Sequence, residues 1–257
     1  MDIQFDGQVV LITGGAGGIG TALSRAFADA GAKVAITYLN GKESAEAIVR
    51  ELTDAGTEAL AIPYDMSDYA QAEQVVRQVV SKWGRLDALV ANAVNWPMLP
   101  PDQRTLVDVD WETWSKLIDT NLFGTAAILQ QAAKHMLTQE YGRIVIMSTE
   151  IAHEGRMGGS AYSTAKAALH GLVASVRWEL GPHNILINFV SPGFNLTPRN
   201  LHMFSDELRQ QVADKTPTGR LSTPEDVAPT VVYLASKANR QVMSQFVSVS
   251  GGVTQVG

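Results

Sequence analysis

The 257-residue chain contains no cysteine, which excludes both a disulfide framework and a cysteine metal site. Its formal net charge of −6 and the absence of a long basic run argue against nucleic-acid binding. The acidic N-terminus has no apolar segment of signal length, and no stretch reaches the roughly 18 apolar residues of a membrane span, so we expect a soluble, cytoplasmic protein with no membrane partner.

Short apolar runs alternate with longer helical patterns along the whole chain. Strands are predicted at Val9–Thr13, Lys33–Tyr38, Ala59–Tyr64, Ala88–Ala91, Arg143–Ser148, Leu186–Val190 and Phe246–Val249. Helices are predicted at Gly18–Ala30, Ser44–Ala55, Tyr69–Trp83, Trp111–Thr138, Ala161–Leu180 and Pro224–Ala235. Nearly continuous apolar strands between helices indicate a parallel sheet that is covered on both faces. We therefore predict one α/β domain over residues 1–257.

Two irregular stretches, Asn95–Thr105 and Ser191–Phe204, interrupt this alternation. Loops of this length in a compact domain are often functional, and we interpret residues 191–215 as a lid over the site. Their apolar residues predict either a hydrophobic substrate channel or ordinary packing of a cap. These residues are Trp96, Met98, Leu99, Phe194, Leu196, Leu201, Met203 and Phe204.

The segment VVLITGGAGGIGTAL, residues 9–23, has the pattern of a strand, a glycine-rich turn and a helix. Gly15, Gly17 and Gly20 satisfy G-x-G-x-x-G, and the narrower pattern T-G-x-x-x-G-x-G begins at Thr13. Such a turn brings backbone N–H groups and a helix N-terminus to an anionic pyrophosphate, although a purely structural turn has the same form. The residues expected to contact a dinucleotide are Thr13, Gly14, Ala16, Gly17, Gly18, Ile19 and Gly20.

The end of the second strand bears on which dinucleotide binds. An NAD site usually has an acidic residue there, on the ribose 2′-hydroxyl, whereas this chain has Tyr38 and Leu39. Lys42 is close enough in sequence to pair with a 2′-phosphate, but it could equally be a solvated lysine in the first turn of the next helix. We expect a preference for NADP(H), with NAD(H) possible.

A tyrosine and a lysine, Tyr162 and Lys166, lie four residues apart in SAYSTAKAAL and would share one face of a helix. A nearby ammonium stabilises a phenolate and lowers the tyrosine pKa from about 10. That shift suits a side chain that passes a proton near neutral pH. The strand just upstream ends in two hydroxyl residues, Ser148 and Thr149.

Together these motifs resemble those of the classical short-chain dehydrogenase/reductase (SDR) family over essentially the whole chain, and look most like its 3-oxoacyl-[acyl-carrier-protein] reductase-like branch. The resemblance implies a Rossmann fold with a seven-stranded, mostly parallel, doubly wound sheet. It implies NADP(H)-dependent reduction of a ketone, either a β-ketoacyl thioester or another hydrophobic carbonyl, by a homotetramer. The motifs are TGGAGGIG (13–20), Asp65, ANA (91–93), TNLFG (120–124), ST (148–149), YSTAK (162–166) and SPGFNLT (191–197).

The resemblance also implies catalytic roles. Tyr162 would be the acid/base, and Lys166 would bind the nicotinamide ribose and hold the tyrosine pKa down. Asn121 would position a water and backbone in a proton relay, unless it is only an amide at a helix kink. The other residues that would contact the cofactor are Asp65 and Met66 at the adenine, Asn92 and Ala93, and Pro192, Gly193 and Thr197 on the nicotinamide side.

Two departures from the family pattern affect the site. Thirteen residues before Tyr162, where the family has a serine, this chain has Thr149. We expect the Thr149 hydroxyl to do the serine's work, with Ser148 as the alternate and a weak or inactive site as a third possibility. The family's N-A-G ends in Val94 here, which would reshape the loop that follows.

The charged residues near the site are compatible with more than one class of substrate. Glu140 and His183 stand where carrier-protein reductases commonly have arginines, although Arg143, Arg156 and Arg199 could form a different basic patch. Arg156 or His153 could instead recognise a polar or anionic substrate, or lie in a solvated loop. A catalytically weak NADP-binding sensor or assembly protein and a dehydratase or epimerase remain alternatives, and we expect no metal site.

Overall fold

The central sheet of the computed structural model contains seven parallel strands in the order β3-β2-β1-β4-β5-β6-β7. The structure describes residues 3–97, 99–100, 102 and 105–254, so Met98 lies outside the described residues. The predicted parallel sheet is confirmed, and all of its pairings are parallel. The strands are β1 (Val9–Ile12), β2 (Lys33–Tyr38), β3 (Ala59–Pro63), β4 (Ala88–Ala91), β5 (Gly142–Met147), β6 (Ile185–Pro192) and β7 (Phe246–Val249).

Helices connect the strands and lie on both faces of the sheet. The described helices are α1 (Gly18–Asp29), α2 (Lys42–Asp54), α3 (Tyr69–Trp83), α4 (Trp111–Ile118), α5 (Thr125–Thr138), α6 (Ile151–Glu154), α7 (Ser160–Leu180), α8 (Pro198–Met203), α9 (Asp206–Asp214) and α10 (Pro224–Ala235). The predicted helical segment Trp111–Thr138 is helical throughout, with a π-helical turn at Asp119–Gly124 between α4 and α5. Helices α8 and α9 lie in the segment that we interpreted as a lid.

Side chains alternate between two buried layers along each strand. On β1, Leu11 faces the cluster formed with α3, α5 and α7, whereas Ile12 faces the cluster formed with α1, α2 and α10. This alternation follows from the two-residue period of a strand. Because both faces are covered, the strands are apolar along their whole length, as the sequence predicts.

The strand order reverses between β1 and β4, and this reversal positions the site. The chain winds outward from β1 to β3 in one direction and from β4 to β7 in the other. In such sheets ligands bind in the crevice at the carboxyl ends of the strands where the order reverses. Within the described part of the chain, no helix is long and apolar enough to cross a membrane.

Candidate active site

Two adjoining cavities open at the carboxyl ends of the strands, and Tyr162 lines both. We call the larger one, about 690 Å³, the glycine-turn cavity; it extends from the turn at Gly14–Ile19 past Tyr38 and Asp65 to Lys166. We call the smaller one, about 420 Å³, the lid cavity; it is lined by Thr149–Ile151, Arg156–Gly158 and Gly193–Asn195 with side chains of α8. A long ligand in the first cavity would therefore meet a ligand in the second at Tyr162.

The glycine-rich turn is shaped by close approaches that a side chain would block. A Cβ on Gly20 would overlap the carbonyl oxygen of Gly14, so Gly20 permits the turn itself. A Cβ on Gly18 would lie 2.6 Å from Cγ2 of Thr197, so Gly18 permits the lid segment to reach the turn. The first-turn N–H groups of α1 begin at Gly18, where a helix leaves amides free for an anion.

Most predicted cofactor residues lie in the lining of the glycine-turn cavity. Those are Gly14, Gly17, Gly18, Ile19, Tyr38, Asp65, Met66, Asn92, Ala93, Lys166, Pro192 and Thr197. Thr13 and Gly20 are buried beneath the turn, and Ala16 packs against the α1-side core. Gly193 lines the lid cavity instead.

Lys42 lies outside the lining of the glycine-turn cavity, and its contact with a 2′-phosphate stays a prediction. Its side chain is 68% exposed and lies outside both cavity linings, with Nζ 3.7 Å from Oε1 of Glu46. The reason is local: Lys42 is the first residue of α2, and Glu46 is one turn farther along the same face. The alternative of a solvated first-turn lysine fits this geometry.

Thr13 and Asn92 join the ends of β1 and β4 under the site. Oγ1 of Thr13 accepts the backbone N–H groups of Asn92 and Ala93, both at 2.9 Å. Nδ2 of Asn92 donates to the carbonyl oxygens of Thr13 and Gly14 at 2.9 and 3.1 Å. These bonds hold the glycine-rich turn at the switch point, which gives Thr13 a supporting position rather than a lining one.

Asn121 lies in the π-helical turn and is completely buried. Its Nδ2 donates to the carbonyl oxygens of Asn95 (2.8 Å) and Leu117 (2.9 Å), and its Oδ1 accepts the N–H of Asn95 at 3.0 Å. The side chain therefore ties the loop after β4 to α4. It does not line either cavity, and a place in a proton relay stays a prediction.

The tyrosine and the lysine share a face of α7, and both side chains are buried. Nζ of Lys166 donates to the carbonyl oxygen of Met147 at 2.9 Å and lies 5.8 Å from the Tyr162 ring centroid. Burial lowers the pKa of Lys166 to about 8. Burial also raises the pKa of Tyr162, and the positive neighbour that lowers it is Arg199. The effect of Lys166 on the tyrosine pKa therefore stays a prediction.

The two candidate hydroxyls have different surroundings. Ser148 lines both cavities, and its Oγ lies 3.3 Å from Nε2 of His170. Thr149 lines only the lid cavity, and its Oγ1 accepts the N–H of Ile151 at 3.3 Å. Sequence reasoning missed His170, although its place four residues after Lys166 puts it on the same helix face. Burial, and then His153, lower the pKa of His170 to about 4, so its ring is neutral near pH 7.

The lid approaches Tyr162 through Arg199 and Trp96. Nη2 of Arg199 donates to the carbonyl oxygen of Trp96, and the Trp96 ring stands nearly perpendicular to that of Tyr162, with centroids 3.9 Å apart. Among the predicted apolar loop residues, those in the lid-cavity lining are Trp96, Leu99, Phe194, Met203 and Phe204, but not Leu196 or Leu201.

The basic patch suggested for Arg143, Arg156 and Arg199 does not form. Arg143 is buried at the opposite part of the sheet, where its guanidinium donates to the carbonyl oxygens of Asn184 and Asn239. Only Arg156 and Arg199 line the lid cavity. Arg143 lies far from the other two arginines because it is near the amino end of β5, whereas the cavities open at the carboxyl ends of the strands.

Comparisons with known proteins cover almost the whole chain. Residues 14–254 match the family model described as enoyl-(acyl carrier protein) reductase. The chain is 34% identical over 243 residues to the 3-oxoacyl-[acyl-carrier-protein] reductase of Staphylococcus aureus, covering 95% of this chain and 96% of that one. It is 32% identical over 254 residues to the protein of the same name from Aquifex aeolicus, covering 98% and 100%. The structure of a 7α-hydroxysteroid dehydrogenase complexed with NADH and 7-oxo glycochenodeoxycholic acid is similar with a TM-score of 0.89 and 29% identity, covering 98% and 96%.

Proposed function

Because the chain belongs to the short-chain dehydrogenase/reductase family, we propose that it is an NADP(H)-dependent oxidoreductase that reduces a ketone to a secondary alcohol. The observation that carries this proposal is the meeting of the two cavities at Tyr162. The larger cavity suits a dinucleotide, and the smaller one suits a substrate with a hydrophobic body, such as a β-ketoacyl thioester or another hydrophobic ketone.

The residues of the glycine-turn cavity fit a nicotinamide dinucleotide. The turn leaves no room for side chains at Gly18 and Gly20, which matches the close backbone approach that a pyrophosphate needs. Asp65 and Met66 would hold the adenosine side, and Pro192 and Thr197 the nicotinamide side. When bound, the cofactor supplies the hydride.

Tyr162 is the proton donor in this proposal. Its phenol is kept protonated by burial, which suits a group that must give a proton to a developing alkoxide. The positive charge of Arg199 opposes that effect and makes proton release easier. Thr149, or Ser148 as the alternate, would donate a hydrogen bond to the same carbonyl oxygen from the other side.

The preference for NADP(H) rests on the end of β2. Tyr38 and Leu39 line the cavity there, so no carboxylate of β2 stands where a 2′-phosphate would lie. The test is to titrate the purified protein with NADPH and with NADH and to follow tryptophan fluorescence, because Trp96 contacts Tyr162. Tighter binding of NADPH supports the proposal, whereas tighter binding of NADH overturns the preference.

The reaction itself is tested with Tyr162→Phe. This variant should lose turnover of a hydrophobic ketone and keep its affinity for NADPH, whereas Tyr69→Phe, at an exposed position of α3, should behave as wild type. Unchanged turnover in Tyr162→Phe would overturn the proposal. A protein that binds NADPH but turns over no ketone would favour the sensor, and formation of product without NADPH oxidation would favour the dehydratase or epimerase.

We also propose a homotetramer and a lid at residues 191–215. Two tryptophans, Trp111 on α4 and Trp178 on α7, are 73% and 75% exposed, which a subunit interface would explain. Size-exclusion chromatography that gives a monomer would reject the tetramer. Protection of the 191–215 backbone from hydrogen exchange on addition of NADPH would support the lid, and unchanged exchange would reject it.

A further inference from the structure

An asparagine of the lid cavity has a buried side chain without a hydrogen-bond partner. Asn195 is 4% exposed and lines the lid cavity, and within the described residues neither Oδ1 nor Nδ2 has a partner. The backbone carbonyl oxygen of Asn195, in contrast, is hydrogen-bonded, since it accepts from Nδ2 of Asn200 at 2.8 Å. A buried amide that bonds to nothing is costly, so its presence beside a cavity indicates a polar ligand group.

Two arginines in the same lining form no salt bridge within the described residues. Among the residues that the structure describes, neither Arg156 nor Arg199 has a carboxylate within 4.0 Å, in a chain whose net charge is −6. The lid cavity also contains Glu150, whose Oε2 accepts from Oγ1 of Thr254 at 3.1 Å. The lining thus carries more positive than negative charge and would attract an anion.

Arg199 places that anion close to the reacting carbonyl. It lines both cavities, its guanidinium donates to Trp96, and Trp96 contacts the ring of Tyr162. Arg199 and Tyr162 line the same two cavities, and the Arg199 charge acts on the Tyr162 phenol, so a carboxylate held by Arg199 would be near a ketone whose oxygen is at Tyr162. Guanidinium and carboxamide N–H groups together form strong, oriented hydrogen bonds to a carboxylate.

We propose that the lid cavity recognises the free carboxylate of an oxo acid, with Arg199 and Asn195 as the specificity-determining residues and Arg156 adding positive charge. This inference names the substrate class and rests on the proposed function for the reaction. The apolar side chains Phe194 and Phe204 of the same cavity would receive the acyl chain. A neutral thioester or ester of the same acid would lack the recognised group.

Binding is measured first, without turnover. Calorimetric titration in the presence of NADPH should show that octanoate binds about 10- to 100-fold more tightly than methyl octanoate, as expected for charge-assisted hydrogen bonds. Arg199→Met and Asn195→Leu should each reduce that preference. Arg199→Lys should retain part of the preference for octanoate, because lysine keeps the positive charge. If Arg199 acted only through its hydrogen bond to Trp96, Arg199→Lys and Arg199→Met would lose the preference equally. Arg77→Met, at an exposed position of α3, is the matched control and should keep the full preference.

Turnover is then compared for freshly prepared 3-oxooctanoate and its methyl ester. Wild type should show a higher kcat/KM for the acid, mainly through KM, and Arg199→Met should lose that advantage. Equal or better binding of the neutral compound by wild type would overturn the inference, as would a preference that survives both Arg199→Met and Asn195→Leu. Preferential, Arg199-dependent binding of octanoate without NADPH oxidation by any ketone would support carboxylate recognition while overturning the proposed reaction.

Discussion

Replacement of Lys166 by methionine should stabilise the folded protein while it removes a group proposed to hold the cofactor. Lys166 is almost completely buried, and burial lowers its pKa from 10.5 to about 8. That difference corresponds to a penalty of about 3 kcal/mol for keeping the buried side chain charged at neutral pH. Loss of the hydrogen bond to Met147 would destabilise the variant by about 1 kcal/mol, which offsets part of this gain. The net gain of about 2 kcal/mol should raise Tm by between about 4 and 8 °C.

The lowered pKa of Lys166 also predicts how the stability difference between Lys166→Met and wild type changes with pH. Below about pH 8 both the folded and the unfolded chain carry the lysine charge, so the penalty is complete. Between about 8 and 10.5 the unfolded chain binds a proton that the folded chain has released, so the stability of wild type rises with pH. The advantage of Lys166→Met should therefore be constant at lower pH and shrink over that interval.

The assay is thermal and urea unfolding of wild type and Lys166→Met without cofactor, at matched protein concentration, near pH 7 and again near pH 9.5. Lys134→Met, at an exposed position of α5, is the control and should change stability by less than about 0.5 kcal/mol. A Lys166→Met protein that is less stable than wild type near pH 7 would refute the reasoning. An advantage that stays the same near pH 9.5 would refute it as well, because burial of the charge would then not be its cause.

Three further predictions concern the site and its supports. Thr149→Ala should lower kcat by about 100-fold and Ser148→Ala by much less, with Thr149→Ser near wild type. The reason is that Thr149 is the residue thirteen positions before Tyr162, whereas Oγ of Ser148 lies 3.3 Å from Nε2 of His170. The reverse order in steady-state rates would favour Ser148. Asn121→Ala should lower the free energy of unfolding in urea by about 2–3 kcal/mol, since it leaves the half-buried N–H and carbonyl groups of Asn95 and the buried carbonyl oxygen of Leu117 without the Asn121 side chain. An unchanged midpoint would contradict that role. Gly124→Ala should lower the free energy of unfolding by about 1–3 kcal/mol in the same assay, because its Cβ would overlap the carbonyl oxygen of Met66. A neutral result would mean that the loop after β3 moves freely.

Local sequence patterns predicted the parallel α/β sheet and part of the cavity lining, and the family resemblance supplied the other expected cofactor residues. Strand and helix periods depend on neighbouring residues, so the alternation of β and α elements could be recognised without tertiary information. The glycine-rich turn and the spacing of Tyr162 and Lys166 are likewise local, and the turn and both side chains lie along one cavity. The order β3-β2-β1-β4-β5-β6-β7 then follows the rules for right-handed crossovers in such sheets.

Contacts between residues far apart in the chain were decided only by the tertiary structure. Asn121 of the π-helical turn bonds to Asn95, 26 residues away, and Nζ of Lys166 donates to the carbonyl oxygen of Met147, 19 residues away. The contact between Arg199 and Trp96 joins residues 103 positions apart. Sequence alone shows which chemical groups are present, but burial, partner and charge environment arise only when distant segments pack together. That is why the sequence indicated an oxidoreductase site, whereas the buried Asn195 side chain, which has no partner within the described residues, and Arg199 beside it in the lid cavity became visible only in the folded chain.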